Sequence, residues 1–249
     1  MPERAETSGS FYVGYLKTPL RLIRFLAFVS ILVVLLADGL ALVLYRLQAD
    51  RPSGRWGENG EIAISGTLVA RPYPMVMVAA SADRPARVAL LVSVGKVGAP
   101  ATARDLDGKA VTVYGYPLLR DDLTVLQLSR DLNDAAANEA PRAIPVVELG
   151  VRTLTGQIED AKCFFGAMNP GEGKVHKACA SLCLLGGIPP LFITRDAQGH
   201  ITYRILADED GGPISDLAAD RASEVLTLTG KLSRLGAIEV FAVPQAALK

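Results

Sequence analysis

Thiol and imidazole side chains are concentrated in one short stretch of the sequence, KCFFGAMNPGEGKVHKACASLCLLGGIPP, which runs from Lys162 to Pro190. The stretch contains every cysteine of the chain and one of its two histidines, namely Cys163, His176, Cys179 and Cys183. Thiolate and imidazole groups are common ligands of zinc and copper, and this set has the composition of a closed, tetrahedral Cys3His site. We therefore predict a metal centre formed by these four residues.

A helix is predicted to carry three of the four side chains. The segment 174–185, KVHKACASLCLL, contains neither glycine nor proline, and a Gly-Gly pair and two prolines follow it closely. His176, Cys179 and Cys183 stand at i, i+3 and i+7, so they lie along one face of such a helix. Cys163 precedes a loop rich in glycine that lets the chain fold back over that face.

Zinc fits the predicted ligand set best, because it accepts Cys and His in tetrahedral geometry. Copper(I) is an alternative, since thiolates are soft ligands and Met168 in the same segment offers a thioether. An iron–sulfur cluster is a further alternative, although its usual ligand sets are four cysteines or two cysteines with two histidines. Haem is disfavoured, because covalent attachment needs the order Cys-x-x-Cys-His and here the histidine comes first.

Two alternatives need no metal. Cysteines in an oxidising compartment commonly form disulfides, and Cys163 bridged to one helix cysteine would leave the other as a buried thiol. Cys179 and Cys183, on successive helical turns, are poorly oriented for a bridge to each other. The second alternative is a redox-active thiol pair, whose pKa Lys174, Lys177 and His176 would lower by their positive charge.

Other polar residues offer little catalytic chemistry. His200 lies in a predicted hairpin turn and is expected in solvent, and Glu159 and Asp160 are expected to be polar residues at the end of a strand. Met75 and Met77 alternate along a strand and are expected to pack in the core. The sequence contains no Ser-His-Asp order, no nucleotide-binding glycine loop and no paired-carboxylate signature. These observations favour a protein that is not an enzyme.

The N-terminal part predicts a membrane anchor. The segment 25–45 is almost uninterruptedly apolar and has the length of roughly 20 residues that a helix needs to span a bilayer. It is too long for the core of a cleaved signal peptide. Basic residues flank it on both sides, but the short head and the large remainder favour an inner-membrane, single-pass topology with the C-terminal part extracytoplasmic. Asp38 inside the span predicts a polar partner in another membrane subunit; the alternative is that it reaches the interface.

The remainder predicts two copies of one β pattern. Short runs rich in Val, Leu, Thr and Ile are separated by Gly, Pro and Asp-Gly turns. The segment SGTL at 65–68 matches TGQI at 155–158, offset by 90 residues, and the strands around Gly115 and Gly230 match at an offset of 115. The second copy therefore carries about 25 additional residues, and they coincide with the cysteine segment.

The predicted fold class is mainly β: an N-terminal transmembrane helix followed by two tandem OB-like β-barrels, the second with a helical Cys/His insertion. An immunoglobulin-like sandwich is the alternative, but each copy is short of the seven strands it needs. The predicted segments are a head (1–24), the anchor (25–45), a linker (46–61), the first β-domain (62–133), a linker (134–148) and the second β-domain (149–249) with its insertion (161–190).

The balance of charged residues argues against nucleic acid as a partner. The 249 residues include 26 basic and 26 acidic side chains, and no basic run is interleaved with aromatic residues.

The segment from Asp160 to Pro190 resembles a stretch shared by a group of bacterial membrane-anchored proteins without an assigned activity. The resemblance covers the pattern D-x-K-C…G-x-M-x-P-G-x-G-K-x-H-K-x-C-A-x-x-C-x-x-G-G-I-P-P. It implies that Cys163, His176, Cys179 and Cys183 act as one unit, and it implies no reaction.

Together these features favour a membrane-anchored, extracytoplasmic, non-catalytic subunit or accessory protein of a membrane redox or respiratory complex. Its partners would be the bilayer and other integral membrane subunits. A periplasmic copper or haem chaperone is the second hypothesis, and a thiol–disulfide protein is the third.

Overall fold

A computed structural model describes residues 18–47, 54–57, 60–82, 85–121, 123–132 and 142–249. The chain divides into two compact units, Met1–Pro52 and Ser53–Lys249. Each unit is described separately below.

The first unit contains one apolar helix, α1 (Leu20–Leu47). At 1.5 Å per residue its 28 residues extend about 42 Å, so the helix is long and apolar enough to cross a membrane. The predicted anchor, 25–45, lies inside it. Asp38 lies in the C-terminal half of α1 with its side chain exposed in this unit. Most of the predicted head, residues 1–17, lies outside the described residues.

The second unit is mainly β, with strands that match the runs of β-branched and aliphatic residues. Its strands are β1 (Arg55–Trp56), β2 (Ile62–Val69), β3 (Met75–Val78), β4 (Arg87–Val92), β5 (Ala110–Arg120), β6 (Leu123–Leu128), β7 (Val146–Asp160), β8 (Pro190–Arg195), β9 (Ile201–Asp208), β10 (Val225–Leu235) and β11 (Ile238–Val243).

The last five strands form a closed barrel in the order β10-β11-β9-β8-β7. The pairs are antiparallel except β9–β11, which is parallel. Phe192, Phe241, Ile158, Leu206 and Leu228 are among the buried side chains of one of its cores. The barrel therefore positions the segment that joins β7 to β8.

The earlier strands pair in a corresponding order. The sheet runs β1-β5-β2-β3-β4-β6, with an additional pairing of β5 with β6. Each strand from β2 to β6 therefore pairs with two other strands of this set. The β4–β6 pair is parallel, as is β9–β11. Gly66 faces Val111 across one pair of strands, and Gly156 faces Leu226 across the other, so both residues are displaced by the predicted offsets of 90 and 115.

Gly66 and Gly156 also play the same structural role, because each allows a neighbouring strand to approach closely. A Cβ atom on Gly66 would overlap the carbonyl oxygen of Met77, and one on Gly156 would overlap that of Ile193. The next strand crosses closely at both places, which only glycine permits.

The first β region comprises strands β2–β6 and the second comprises strands β7–β11. They differ in the connection that follows β2 in the first region and β7 in the second. Residues 70–74 join β2 to β3, whereas residues 161–189 join β7 to β8. The long connection contains a π-helical turn (Cys163–Ala167) and helix α2 (Lys177–Leu185). The second helix thus begins three residues later than predicted. A short helix, α3 (Ser215–Ala219), packs beside α2, where Ser181 donates a hydrogen bond to the Ala219 carbonyl.

One buried cluster joins both β regions. It combines Met75, Leu90, Val125 and other side chains of the first region with Phe164, Phe165, Leu191, Ile205 and others of the second. Cys163 and Cys183 belong to this cluster. The cysteine segment therefore lies where the two regions pack together.

The linker boundaries differ from the prediction in two places. β1 lies inside the predicted linker 46–61 and pairs with β5, with Trp56 in register with Leu118. β7 begins at Val146, inside the predicted linker 134–148. Residues 134–141 of that linker lie outside the described residues.

Candidate metal centre

Three thiols converge between the π-helical turn and α2. The Sγ atom of Cys163 lies 4.0 Å from that of Cys179 and 3.9 Å from that of Cys183, and none of the three forms a disulfide. Cys163 and Cys183 are buried, and Cys179 is half-buried. The three sulfur atoms all lie within 4.8 Å of one another, which is close enough to share one metal ion.

The backbone around Cys163 turns sharply at the end of β7. The Cys163 amide donates a hydrogen bond of 2.8 Å to Oδ1 of Asp160, which caps the turn. Gly171 lies so close to the Cys163 carbonyl that a Cβ atom would overlap it. The glycine-rich loop can therefore fold back over the turn and bring α2 against Cys163, as the sequence predicted.

His176 is buried and engages Asp160 instead of joining all three cysteines. Its Nε2 atom lies 3.0 Å from Oδ2 of Asp160. Burial alone would lower the pKa of His176, but the bond with the Asp160 carboxylate outweighs burial and raises it. Asp160, Cys163 and His176 form a second group with donor atoms within 4.8 Å of one another. The predicted Cys3His set is thus found as two overlapping groups that share Cys163.

Lys96 closes the exposed side of the thiol triad. Its Nζ atom lies 2.7 Å from Sγ of Cys179 and 3.5 Å from Sγ of Cys183. The hydrogen bond with Cys179 raises the pKa of Lys96, so the ammonium form is favoured beside sulfur. Lys96 comes from the loop after β4, and the first β region therefore contributes directly to the site.

The loop that carries Lys96 is fixed to the cysteine segment. Buried Lys162 donates hydrogen bonds of 2.8 Å and 2.7 Å to the carbonyls of Ser93 and Gly95. The carbonyl of Lys96 packs on Gly186 so closely that a Cβ atom there would overlap it. Gly186 thus ends α2, as predicted, and also admits the loop. These contacts hold the Lys96 side chain over the thiols.

The thiols differ in their preferred protonation states. The hydrogen bond between Cys163 and Cys183, followed by burial, raises the pKa of Cys163. The same bond, together with the charge of Lys96, lowers the pKa of Cys183 against the effect of burial. Lys96 thus supplies to Cys183 the positive charge that the sequence analysis expected from Lys174, Lys177 and His176.

The two lysines of the segment have other surroundings. Lys177 Nζ pairs with Oε1 of Glu224 at 2.6 Å, and Lys174 is exposed.

Glu159 and Asp160 are the last residues of strand β7, as expected from the sequence, and both are buried. Glu159 accepts hydrogen bonds from the Gly173 amide at 2.7 Å and the Ser223 hydroxyl at 2.8 Å. Burial raises its pKa to about 7, although both hydrogen bonds act in the opposite direction. The two acids fix the connection between β7 and β8, because Glu159 holds the glycine-rich loop and Asp160 holds His176.

The other candidates lie apart from the thiol triad. The side chain of Met168 is 48% exposed, and no described contact joins its thioether to the thiols. His200 is exposed in a hairpin turn and pairs with Asp196, which confirms the expectation for this residue. Met75 and Met77 are buried in the core, as predicted.

Arg120 connects the first β region to the π-helical turn. Its Nη1 donates a 2.7 Å hydrogen bond to the Phe164 carbonyl, and its guanidinium carbon lies 3.7 Å from the centre of the Phe164 ring. Phe164, Phe165 and Tyr203 contact one another edge to face. This packing fixes the residue that follows Cys163.

The donor set suits a thiophilic metal ion. Sequence analysis found the thiols and their helix, but it missed Lys96 and the pairing of Asp160 with His176. Only the position of Asp160, three residues before a cysteine, could have suggested its part. No family model, curated protein or solved structure matches the chain.

Proposed function

We propose that this protein is a membrane-anchored, non-catalytic subunit or accessory protein of a membrane redox or respiratory complex, and that it holds a metal ion on Cys163, Cys179 and Cys183. The observation that carries the proposal is the spacing of the three sulfur atoms, 4.0 Å and 3.9 Å from Cys163. A metal–thiolate bond of about 2.3 Å places sulfurs about 3.8 Å apart in a tetrahedral site.

The scaffold of the site is proposed to be a tandem of OB-like barrels. Strands β2–β6 and β7–β11 share one pairing order, including one parallel pair each, and close glycine crossings at Gly66 and Gly156. The connection after β7 would then be an insertion that converts one barrel into a metal-binding domain.

The anchor is proposed to hold the protein in the inner membrane with the second unit extracytoplasmic. Asp38 would bind a polar group of an integral subunit, because a carboxylate inside the hydrocarbon core is costly without a partner. Replacing Asp38 by Leu should then release the protein from the assembly without loss of metal from the second unit. An intact assembly would contradict this docking role.

A partner protein is proposed to dock beside the thiols. Leu182 and Leu185 on α2 and Val94 and Val97 on the Lys96 loop are exposed apolar side chains around the half-buried Cys179. Lys96 adds a positive charge, so an apolar surface with an acidic rim would complement this region.

Elemental analysis tests the metal site most directly. The full-length protein, purified in detergent under reducing conditions, should contain about one equivalent of metal, and the triple Cys→Ser variant should contain none. His200→Ala is the matched control, because its imidazole is exposed in a distant hairpin. Equal metal contents in the parent and the triple variant would contradict the proposal.

A periplasmic copper or haem chaperone is the second candidate. The half-buried Cys179 and the exposed Lys96 favour it, since a transferable ion needs one reachable ligand. Copper transfer to a chelator within seconds would support the chaperone, whereas retention for hours would support the structural or electron-carrying role.

A thiol–disulfide protein is the third candidate, because the Cys163–Cys183 sulfur separation of 3.9 Å allows a bridge after a small movement. Mass analysis after alkylation separates this candidate from the others. One disulfide and one free thiol in metal-free, freshly purified protein would favour it.

A further inference from the structure

We infer that the three thiolates bind copper(I) in a three-coordinate arrangement, and that Lys96 balances its charge on the exposed side. The inference rests on the proposed metal binding at Cys163, Cys179 and Cys183 and names the ion that this site takes.

The sulfur spacing admits a planar three-coordinate ion. Bonds of about 2.3 Å to three sulfurs in one plane with the ion give separations of about 4.0 Å, against about 3.8 Å for a tetrahedron. The separations of 4.0 Å and 3.9 Å agree with both geometries. The coordination number is therefore decided by whether a fourth donor is at hand.

Among the described residues, the nearest polar groups are a cation or are already engaged with each other. The group on the exposed side is the Lys96 ammonium, which has three N–H donors and no lone pair for a metal. The His176 imidazole is held by Asp160 at 3.0 Å and is grouped with Cys163 alone among the cysteines. Zinc sites are almost always four-coordinate, whereas copper(I) is selected by a few soft thiolates.

The surroundings of the triad carry positive charge. Three thiolates with copper(I) carry a charge of −2, and two ammonium groups lie beside them. Lys96 contacts the sulfurs directly, and buried Lys162 interacts electrostatically with Cys163 and Cys183. The buried Asp160 carboxylate also interacts with Cys163 and Cys183, and it is engaged by His176. The two ammonium groups therefore offset the charge of the thiolates, which matters because unbalanced charge in a buried site is costly.

Lys96 is thus assigned as a positioning and charge-balancing residue that favours one ion over the other. Loss of its charge should weaken copper(I) binding more than zinc(II) binding, because three thiolates carry a charge of −2 with copper(I) and −1 with zinc(II). A purely structural role of Lys96 would weaken both equally.

The test uses full-length, reduced, metal-free protein in detergent without oxygen. Copper(I), supplied as its acetonitrile complex, and zinc(II) are titrated separately against chelators. We expect one copper(I) per chain, displacement of zinc(II) by copper(I), and an X-ray absorption spectrum with three sulfurs at about 2.3 Å and no nitrogen or oxygen ligand.

Three variants complete the test. Lys96→Met should lower the copper(I) affinity about tenfold, as expected for one lost hydrogen bond to a charged group, and should lower the zinc(II) affinity less. Lys96→Arg should retain the affinity for copper(I). Lys177→Met is the matched control, because this lysine starts the same helix but pairs with Glu224.

Two outcomes would overturn the inference and leave metal binding intact: a nitrogen or oxygen ligand in the copper spectrum, or tighter binding of zinc(II) than of copper(I). Parallel losses of both affinities in Lys96→Met would overturn the role of Lys96. Failure of both ions to bind through the cysteines would instead overturn the proposed function itself.

Discussion

The two β regions of the second unit share one strand order and differ most in one connection. After β2 the chain crosses to β3 through residues 70–74, and after β7 it reaches β8 only through residues 161–189. The cysteines, His176 and Lys162 all lie in the longer connection. The comparison teaches that one long connection can carry a candidate site while the strands around it keep the same pairing order.

The first β region, which has the short connection, also contributes side chains to the candidate site. Its loop after β4 places Lys96 on the sulfurs, and its strand β5 places Arg120 on Phe164. The first region therefore forms one wall of the site.

The largest effect is expected from Arg120→Ala, which breaks the contact between the regions. The variant loses a hydrogen bond to the Phe164 carbonyl and a ring contact in a buried setting, so we expect a loss of about 4 kcal/mol in the free energy of unfolding. Urea unfolding followed by the fluorescence of Trp56, the only tryptophan, measures it. Arg130→Ala is the control.

Arg130 also stacks on a ring, that of Tyr114, but it does so within the first region and in solvent. Its loss should cost less than about 1 kcal/mol. Equal effects of the two variants would show that Arg120 does not join the regions.

The second effect concerns Glu159, which occupies the position of Val69 in the first region at the offset of 90. Its pKa rises from 4.5 in the unfolded chain to about 7 in the fold, so the folded protein binds the proton more tightly. The contribution of Glu159 to the free energy of unfolding is therefore largest below pH 4.5 and falls as the pH rises to 7, by up to about 3 kcal/mol.

Glu159→Gln removes this titration and keeps the acceptor for the Gly173 amide. Relative to the parent, the variant should gain stability progressively between pH 4.5 and 7 and no further above pH 7. Unfolding midpoints in urea across this range measure the difference. A constant difference between the two proteins would contradict the pKa of Glu159.

A smaller effect is expected from Gly66→Ala and Gly156→Ala, which test the equivalence of the regions. Each new Cβ would overlap a backbone carbonyl of the next strand, so each variant should lose about 2 kcal/mol. Gly199→Ala, at a turn with open space and φ of 86°, should lose about 1 kcal/mol from backbone strain alone. A clear loss at only one of the two positions would refute the equivalence.

The smallest effect is expected from Met168→Leu. Its thioether is half-exposed while the thiols are buried or half-buried, so the metal affinity should change less than twofold. A larger loss, measured by chelator competition, would restore Met168 as a ligand.

Much of the fold could be predicted because its signals are local. Alternating aliphatic residues mark the strands, the apolar run marks α1, and Gly66 with Gly156 reveals the shared offset. The convergence of Cys163 with Cys179 and Cys183 followed from helical spacing and a glycine-rich loop.

The rest depends on contacts that no local pattern encodes. Lys96 and Cys179 are separated by 83 residues, and only the packing of the β4 loop on Gly186 brings them together. His176 shares the helical spacing of the cysteines, but it precedes α2, and its imidazole pairs with the buried Asp160 carboxylate. A buried histidine can be satisfied by a hydrogen bond to an acid or by coordination to a metal, and sequence spacing does not distinguish the two.

The hydrophobic cluster that Met75 shares with Phe164 and Leu191 has a calorimetric consequence. Separate domains melt in separate steps, whereas regions with a common interior lose it together. We expect residues 53–249 to melt in one cooperative transition with equal calorimetric and van't Hoff enthalpies. The two β regions would then unfold as one cooperative unit, despite the internal repetition of their sequence.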